Sequence, residues 1–165
     1  MRGIARAAGV DASLIVHFFG CKSGLFGAVV QFPYDPGEAL ETILAGGVEQ
    51  VGHRLAQHFI DHWENPEQRD PILSLMQVAF TDPTAAALVR EFITVRVLVP
   101  LMEQIDADRR ELRAGLLASQ IGGFGIGRYV LAFDGLTTDP IEEVVSAFGW
   151  TLQTTCTGPL PRQGA

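Results

Sequence analysis

Apolar side chains recur at intervals of three and four residues along most of the chain, and strict alternation is rare. The pattern therefore predicts helices and no sheet. Short helices are expected near 1–8, 12–18 and 23–31. A break follows at Phe32-Pro33-Tyr34-Asp35-Pro36, where the prolines remove backbone donors and push the residues before them out of helical geometry. Further helices are expected near 37–45, 49–64, 70–80, 84–104, 109–134 and 140–156. Gly46-Gly47, Asn65-Pro66, Asp82-Pro83 and Thr138-Asp139-Pro140 punctuate them. Before the last helix, Asp139 suits an N-cap, Pro140 the first helical position, and Glu142 the far side of a capping box. The expected fold class is all-α: a helix-turn-helix unit over 1–32, a helical bundle over 36–156, and a tail over 157–165.

In the first unit, Ile4, Ala5 and Ala8 share one face, and Gly9 permits the left-handed turn that a short helix-helix connection needs. Asp11 is positioned to cap the second helix, whose Leu14, Ile15 and Phe18 are expected to pack back on the first, with Phe19 also in the core. Ala12, Ser13, Val16 and His17 then face outward, as on a recognition helix entering a major groove. Lys22 opens the next helix, where a phosphate is a natural partner. The charge distribution agrees. Net charge is −7, yet residues 1–31 hold Arg2, Arg6 and Lys22 against Asp11 alone, so a mildly basic end sits on an acidic body.

Composition narrows the class. A chain of 165 residues, 47% hydrophobic and 19% charged, buries a sizeable core and is not intrinsically disordered. The longest apolar stretch, Gly115 to Phe133, is interrupted by Gln120 and Arg128, so no membrane span is expected. Met1 to Arg6 lacks the apolar stretch of a secretory leader, and Cys21 and Cys156 make no disulfide framework. The expected location is the cytoplasm.

The run Ile4-Ala5-Arg6-Ala7-Ala8-Gly9-Val10, followed by His17-Phe18-Phe19-Gly20-Cys21-Lys22-Ser23-Gly24-Leu25-Phe26, resembles the DNA-binding unit of the TetR (tetracycline-repressor) family. That family shows I-A-x-x-A-G-V, about seven residues, then H-F-x-x-K-x-x-L. The pattern departs from it in three ways. The family's full helix before this unit has no counterpart, so the unit reads as N-terminally incomplete. Val16 stands where an aromatic or basic side chain is common, and Cys21 where a serine often caps the next helix. The resemblance implies a DNA face formed by Ala12, Ser13, Val16, His17 and Lys22.

It also implies a small-molecule cavity in the body. Phe59, His62, Trp63, Met76, Phe80, Phe92 and Phe124 are the candidates for lining it, for a largely apolar effector. His58 and His62 stack four residues apart with Asp61 beside them, a spacing open to a polar ligand or a metal ion. No His-Glu-x-x-His motif supports the metal, and no metal or cofactor is expected. Gly122-Gly123-Phe124-Gly125-Ile126-Gly127 fails the spacing of a dinucleotide loop and follows no strand. Gly115, Ser119, Gly123 and Gly127 instead line one helix face that invites close packing. Family resemblance pairs the last two helices with their copies, through Gly123, Gly127, Ile141, Val144, Val145, Phe148 and Leu152. The function expected is a homodimeric repressor that binds a palindromic operator and is released by an effector. The alternatives are a dimeric small-molecule-binding protein whose head does not bind DNA, and a helical enzyme or metalloprotein built on His58 and His62, for which no nucleophile-base pair or paired carboxylates speak.

Overall fold

The computed structural model describes residues 1–22, 25, 28 and 35–161. The expected helix over 23–31 falls largely outside these residues. So do Phe32, Pro33 and Tyr34 of the expected break, and Ser23, Gly24 and Phe26 of the family motif.

Two short helices open the chain, α1 (Arg2–Ala8) and α2 (Ala12–Phe19). Gly9 ends α1 in the left-handed region at φ 68°, and the Val10 amide donates back to the Ala5 carbonyl at 3.0 Å. Asp11 caps α2 by accepting from the Ser13 amide at 2.7 Å. Ala5 and Ile15 are buried between the two helices. Leu14 and Phe18, expected inside, lie outside instead, with Phe18 69% exposed. Helices of seven and eight residues offer each other little more than one turn of shared surface.

The body starts where Pro36 takes the first position of α3 (Pro36–Leu44) and Asp35 caps it. A glycine turn and a single 3₁₀ turn lead into α4 (Val51–Glu64). Arg54 braces this turn, donating to the carbonyls of Ile43 and Gly47. The next helix, α5 (Pro66–Thr81), begins four residues before the expected start. Asn65 and Pro66 form an N-cap and first helical position rather than a break, and Pro71 is carried inside the helix. In the same way Asp82 and Pro83 open α6 (Pro83–Ile93).

The single helix expected over 84–104 has a wide π turn in its middle, Thr94–Leu98, before α7 (Val99–Gln104). Pro100 supplies the reason: it has no amide for the Arg96 carbonyl, and its ring crowds that carbonyl. α8 (Arg110–Tyr129) stops short of the expected end. Beyond it the backbone turns back through Ala132, at φ 52°, and the Phe133 amide reaches the Gly127 carbonyl at 2.9 Å. A short α9 (Asp134–Thr137) follows, and α10 (Ile141–Thr157) closes the fold. Pro140, with no side-chain bond, occupies the N-cap expected of Asp139. No strand occurs among the described residues.

Helix α10 lies along α4 in the most extensive helix pair of the body. Two glycines set their separation. A Cβ on Gly52 would sit 2.1 Å from the Gln153 nitrogen, and one on Gly149 would sit 2.8 Å from the His53 Cα. Of the stripe expected to make close contacts, Gly115 and Gly123 face open space, and Gly127 admits Phe133 and Leu136 from its own chain. The aromatic core fills in behind: Phe124 stacks on Phe148 at 4.1 Å, and Phe59 meets Trp63 at 4.9 Å. Buried Arg113 ties the start of α8 to the end of α10, donating to the carbonyls of Thr155 (2.6 Å) and Gly158 (2.9 Å) and to Asp108.

Candidate ligand cavity and nucleic-acid interface

On α2, Ser13, Val16 and His17 are exposed and Ala12 is half-buried, on one outward side of the helix. The Ser13 hydroxyl is engaged, donating to Asp11 Oδ1 at 2.5 Å. That hydroxyl, with the Ser13 amide, holds the Asp11 carboxyl below the usual carboxylate range. The His17 ring stands edge-on to Phe18 at 5.2 Å, and Lys22 is exposed three residues after the end of α2. Of the five residues, Lys22 carries a fixed positive charge and His17 an imidazole.

The head meets the body where α2 ends. Arg96, on the π turn, brings its Nη1 to 3.8 Å from Cys21 Sγ, and the same nitrogen lies near Gly20. The two residues after Arg96 point the other way: Val97 and Leu98 are buried, and with Ile93 they wall a cavity. One widened turn thus has the head on its outer face and the cavity on its inner face.

The cavity measures about 180 Å³ and lies among α3, α4, α5, α6, the π turn and α8. Of the seven candidates named from the sequence, Phe59, His62, Trp63 and Met76 line it. The other three do not. Phe80 is 73% exposed and borders a shallow groove between α5 and α6. Phe92 is buried elsewhere in the core, and Phe124 is committed to its stack on Phe148. Sequence reasoning left out the aliphatic wall, including Ile43, Ile72, Leu75 and Val97. Nothing local marks these as lining rather than packing, since both roles ask for the same side chains.

His58 and His62 supply the polar edge of the wall, their rings 4.4 Å apart. His62 Nδ1 lies 2.7 Å from the His58 carbonyl, which can only accept, so that nitrogen carries the proton. Burial, followed by the neighbouring His62, lowers the His58 pKa below its ordinary 6.5, with Asp61 opposing. Asp61 accepts from Gln57 at 2.7 Å. Among the described residues no group of three or more histidine, cysteine or acidic side chains is gathered as a metal ion would need.

The stripe expected at a dimer interface lies largely inside this chain. Val144, Val145, Phe148 and Leu152 are buried, Ile141 is half-buried, and Gly127 is covered by Phe133 and Leu136. The close pairing of α10 with α4 takes up most of the α10 part of the stripe within this chain. Gly123 alone of the seven is exposed.

A paired-helix head joined to an all-α body with an apolar cavity is the build of a helical transcriptional regulator. The sequence profile of the tetracyclin repressor-like C-terminal domain matches residues 49–155, more than half of the chain. The crystal structure of a TetR-family regulator from Streptomyces coelicolor A3 superposes with a TM-score of 0.54 at 26% identity, covering 93% of this chain and 80% of that one. No curated protein sequence matches. The chain belongs to the TetR family of transcriptional regulators. Among the described residues no helix is long and apolar enough to cross a membrane.

Proposed function

We propose that the protein is a ligand-responsive repressor that binds a palindromic operator as a homodimer and leaves it when an effector fills the cavity. The observation that supports this reading best is the shared π turn, with Ile93, Val97 and Leu98 on the cavity and Arg96 against the start of the head-to-body connection. A ligand that displaces this turn changes the stance of the head, and the protein then favours the state whose recognition helices are wrongly spaced for DNA. Reciprocity requires operator DNA to weaken effector binding by the same factor.

In this reading Ala12, Ser13 and Val16 approach the base edges, His17 meets a base edge or phosphate, and Lys22 takes a phosphate. The second copy docks on the outward faces of α8 and α10, which carry Leu116, Gly123, Ala147 and Trp150. Trp150 is 71% exposed. Two-fold symmetry then matches half-sites about one helical turn apart.

The test is fluorescence anisotropy on the DNA upstream of the protein's own gene, beside a scrambled duplex, at low and moderate salt. Preference for the native duplex, weakened by salt, is the expected result. Equal binding to both duplexes would overturn the repressor and leave a ligand-binding dimer.

A further inference from the structure

The cavity and the shallow groove between α5 and α6 are two sides of one wall. Met76, Val89, Ile93 and Ala118 line both. All four are half-buried, whereas Ile43, Leu55 and Leu98 on the same cavity are at most 4% exposed. The wall is therefore one side chain thick at these four positions. We infer that it is the gate of the cavity: a small apolar molecule enters the groove, and Met76 turns aside to admit it. This rests on the reading of the cavity as a ligand site and adds the route by which that site fills.

The groove is built to receive such a molecule. Ala79, Ala86 and Ser119 are short side chains that leave a space of about 360 Å³ beside the wall. Phe80 offers a ring at its border, 73% exposed. Of the four shared side chains, methionine is the one that moves most readily, because it is unbranched at Cβ and has three rotatable bonds before its methyl, whereas Val89 and Ile93 are stiff at χ1.

The cost of the other visible approach favours this wall. A molecule arriving behind α4 would have to part α4 from α10, whose backbones Gly52 and Gly149 bring into contact, and unpack Phe148 and Leu152. Turning Met76 changes one rotamer and leaves every helix in place. The gate also adjoins the element that meets the head. Ile93 and Thr94, both on the groove, lead into the π turn Thr94–Leu98 that carries Arg96.

Stopped-flow fluorescence of the full chain with iodobenzene tests the route. Trp150→Phe leaves Trp63, on the cavity wall, as the chain's one tryptophan. Iodobenzene is a heavy-atom quencher of single-ring size, and an apolar cavity of about 150 Å³ accepts benzene. In that background Ala86→Leu and Ser119→Phe narrow the groove at positions that do not line the cavity. Each should slow association and dissociation together by about tenfold and leave Kd within about twofold, the signature of a residue on the path and not in the site. Met76→Ala should speed both rates. Association and dissociation unchanged in both groove variants would overturn the route, as would a weaker Kd reached with an unchanged association rate. Quenching absent from the Trp150→Phe parent would overturn the cavity as a ligand site and the route with it. No outcome involves DNA, so the route stands or falls apart from the repressor reading.

Discussion

The crossing of α4 and α10 is the point where one added carbon should do most harm. A Cβ on Gly52 would lie 2.1 Å from the Gln153 nitrogen, 2.4 Å from its Cα and 2.7 Å from the Leu152 carbonyl carbon. These are backbone atoms of a helix, so no side-chain rotation relieves the clash. Ordinary carbon contacts need about 3.5–4 Å, so the helices must part by more than an ångström. That movement loosens Val145, Phe148 and Leu152 and stretches the bond from the Gly52 amide to Gln153 Oε1, now 2.7 Å. Overpacking of this kind costs about 1–3 kcal/mol and sometimes more. The better helix propensity of alanine returns about 1 kcal/mol, but a clash between two backbones belongs at the upper end of the range or beyond it. A net loss of about 2–3 kcal/mol corresponds to a fall in Tm of about 5–10 °C for a chain of this size. Gly122→Ala, inside α8, is the control. Nothing lies within 4 Å of its added carbon, so propensity alone should act, raising stability by about 0.5–1 kcal/mol. Thermal unfolding followed by circular dichroism reads both. A Tm for Gly52→Ala within 2 °C of the parent, or above it, would refute the argument that these glycines set the helix separation.

Three further outcomes follow from buried groups. Arg113→Met should cost about 3 kcal/mol in denaturant unfolding, because the buried carbonyls of Thr155 and Gly158 lose their donor. A loss under 1 kcal/mol would show that the clamp is not needed. Cys156 is buried, and its thiol is pushed up to about 12 by that burial, so a thiol reagent at pH 8 should modify Cys21 quickly and Cys156 only on unfolding. Equal rates at the two cysteines would contradict this. His58 gains its proton more readily unfolded, with a pKa near 6.5, than folded, so its contribution is present above pH 6.5 and is lost as pH falls toward its folded pKa. Denaturant midpoints at pH 7.5 and 5.5 should therefore differ less in His58→Gln than in the parent, and an unchanged difference would remove His58 from the account.

Much of the architecture is legible in the sequence because it rests on local chemistry. Gly9 with Asp11, Asp35 with Pro36, and Asp82 with Pro83 each bring a helix end or start within four residues, and each forms as its side chain dictates. The misreadings share a cause. Asn65-Pro66 and Asp139-Pro140 each offer a good capping side chain just before a proline, yet the first pair caps a helix while at the second Pro140 itself takes the cap position. What decides between them is how the flanking chain packs. The same holds for glycine. Gly115 and Gly123 repeat at helical spacing and touch nothing, while Gly52 and Gly149 carry no pattern and meet the backbone of the facing helix, because they are neighbours only once α4 and α10 have met. The cavity was half legible for the same reason: aromatic and histidine residues stand out in a sequence, whereas the aliphatic side chains that complete the wall look like any core.

The π turn links cavity and head: Pro100 creates it, the cavity uses its inner face and Arg96 projects from its outer face. If the head senses the cavity through this turn, Arg96→Ala should uncouple the two sites while sparing each. Arg96 is exposed, and its contact with Cys21 is a long one at 3.8 Å, so its loss removes little stability and no cavity wall. Affinity for operator DNA without ligand should change by no more than about twofold, as should ligand affinity without DNA. Their ratio in each other's presence should fall toward one, because coupling is a free energy between sites and vanishes when the connecting element no longer distinguishes the states. The measurement is a DNA titration with and without a saturating apolar ligand of the cavity's size, such as toluene, on parent and variant. Full coupling retained in Arg96→Ala would show that the signal travels by another route, leaving the cavity and the head as they are but not the link between them.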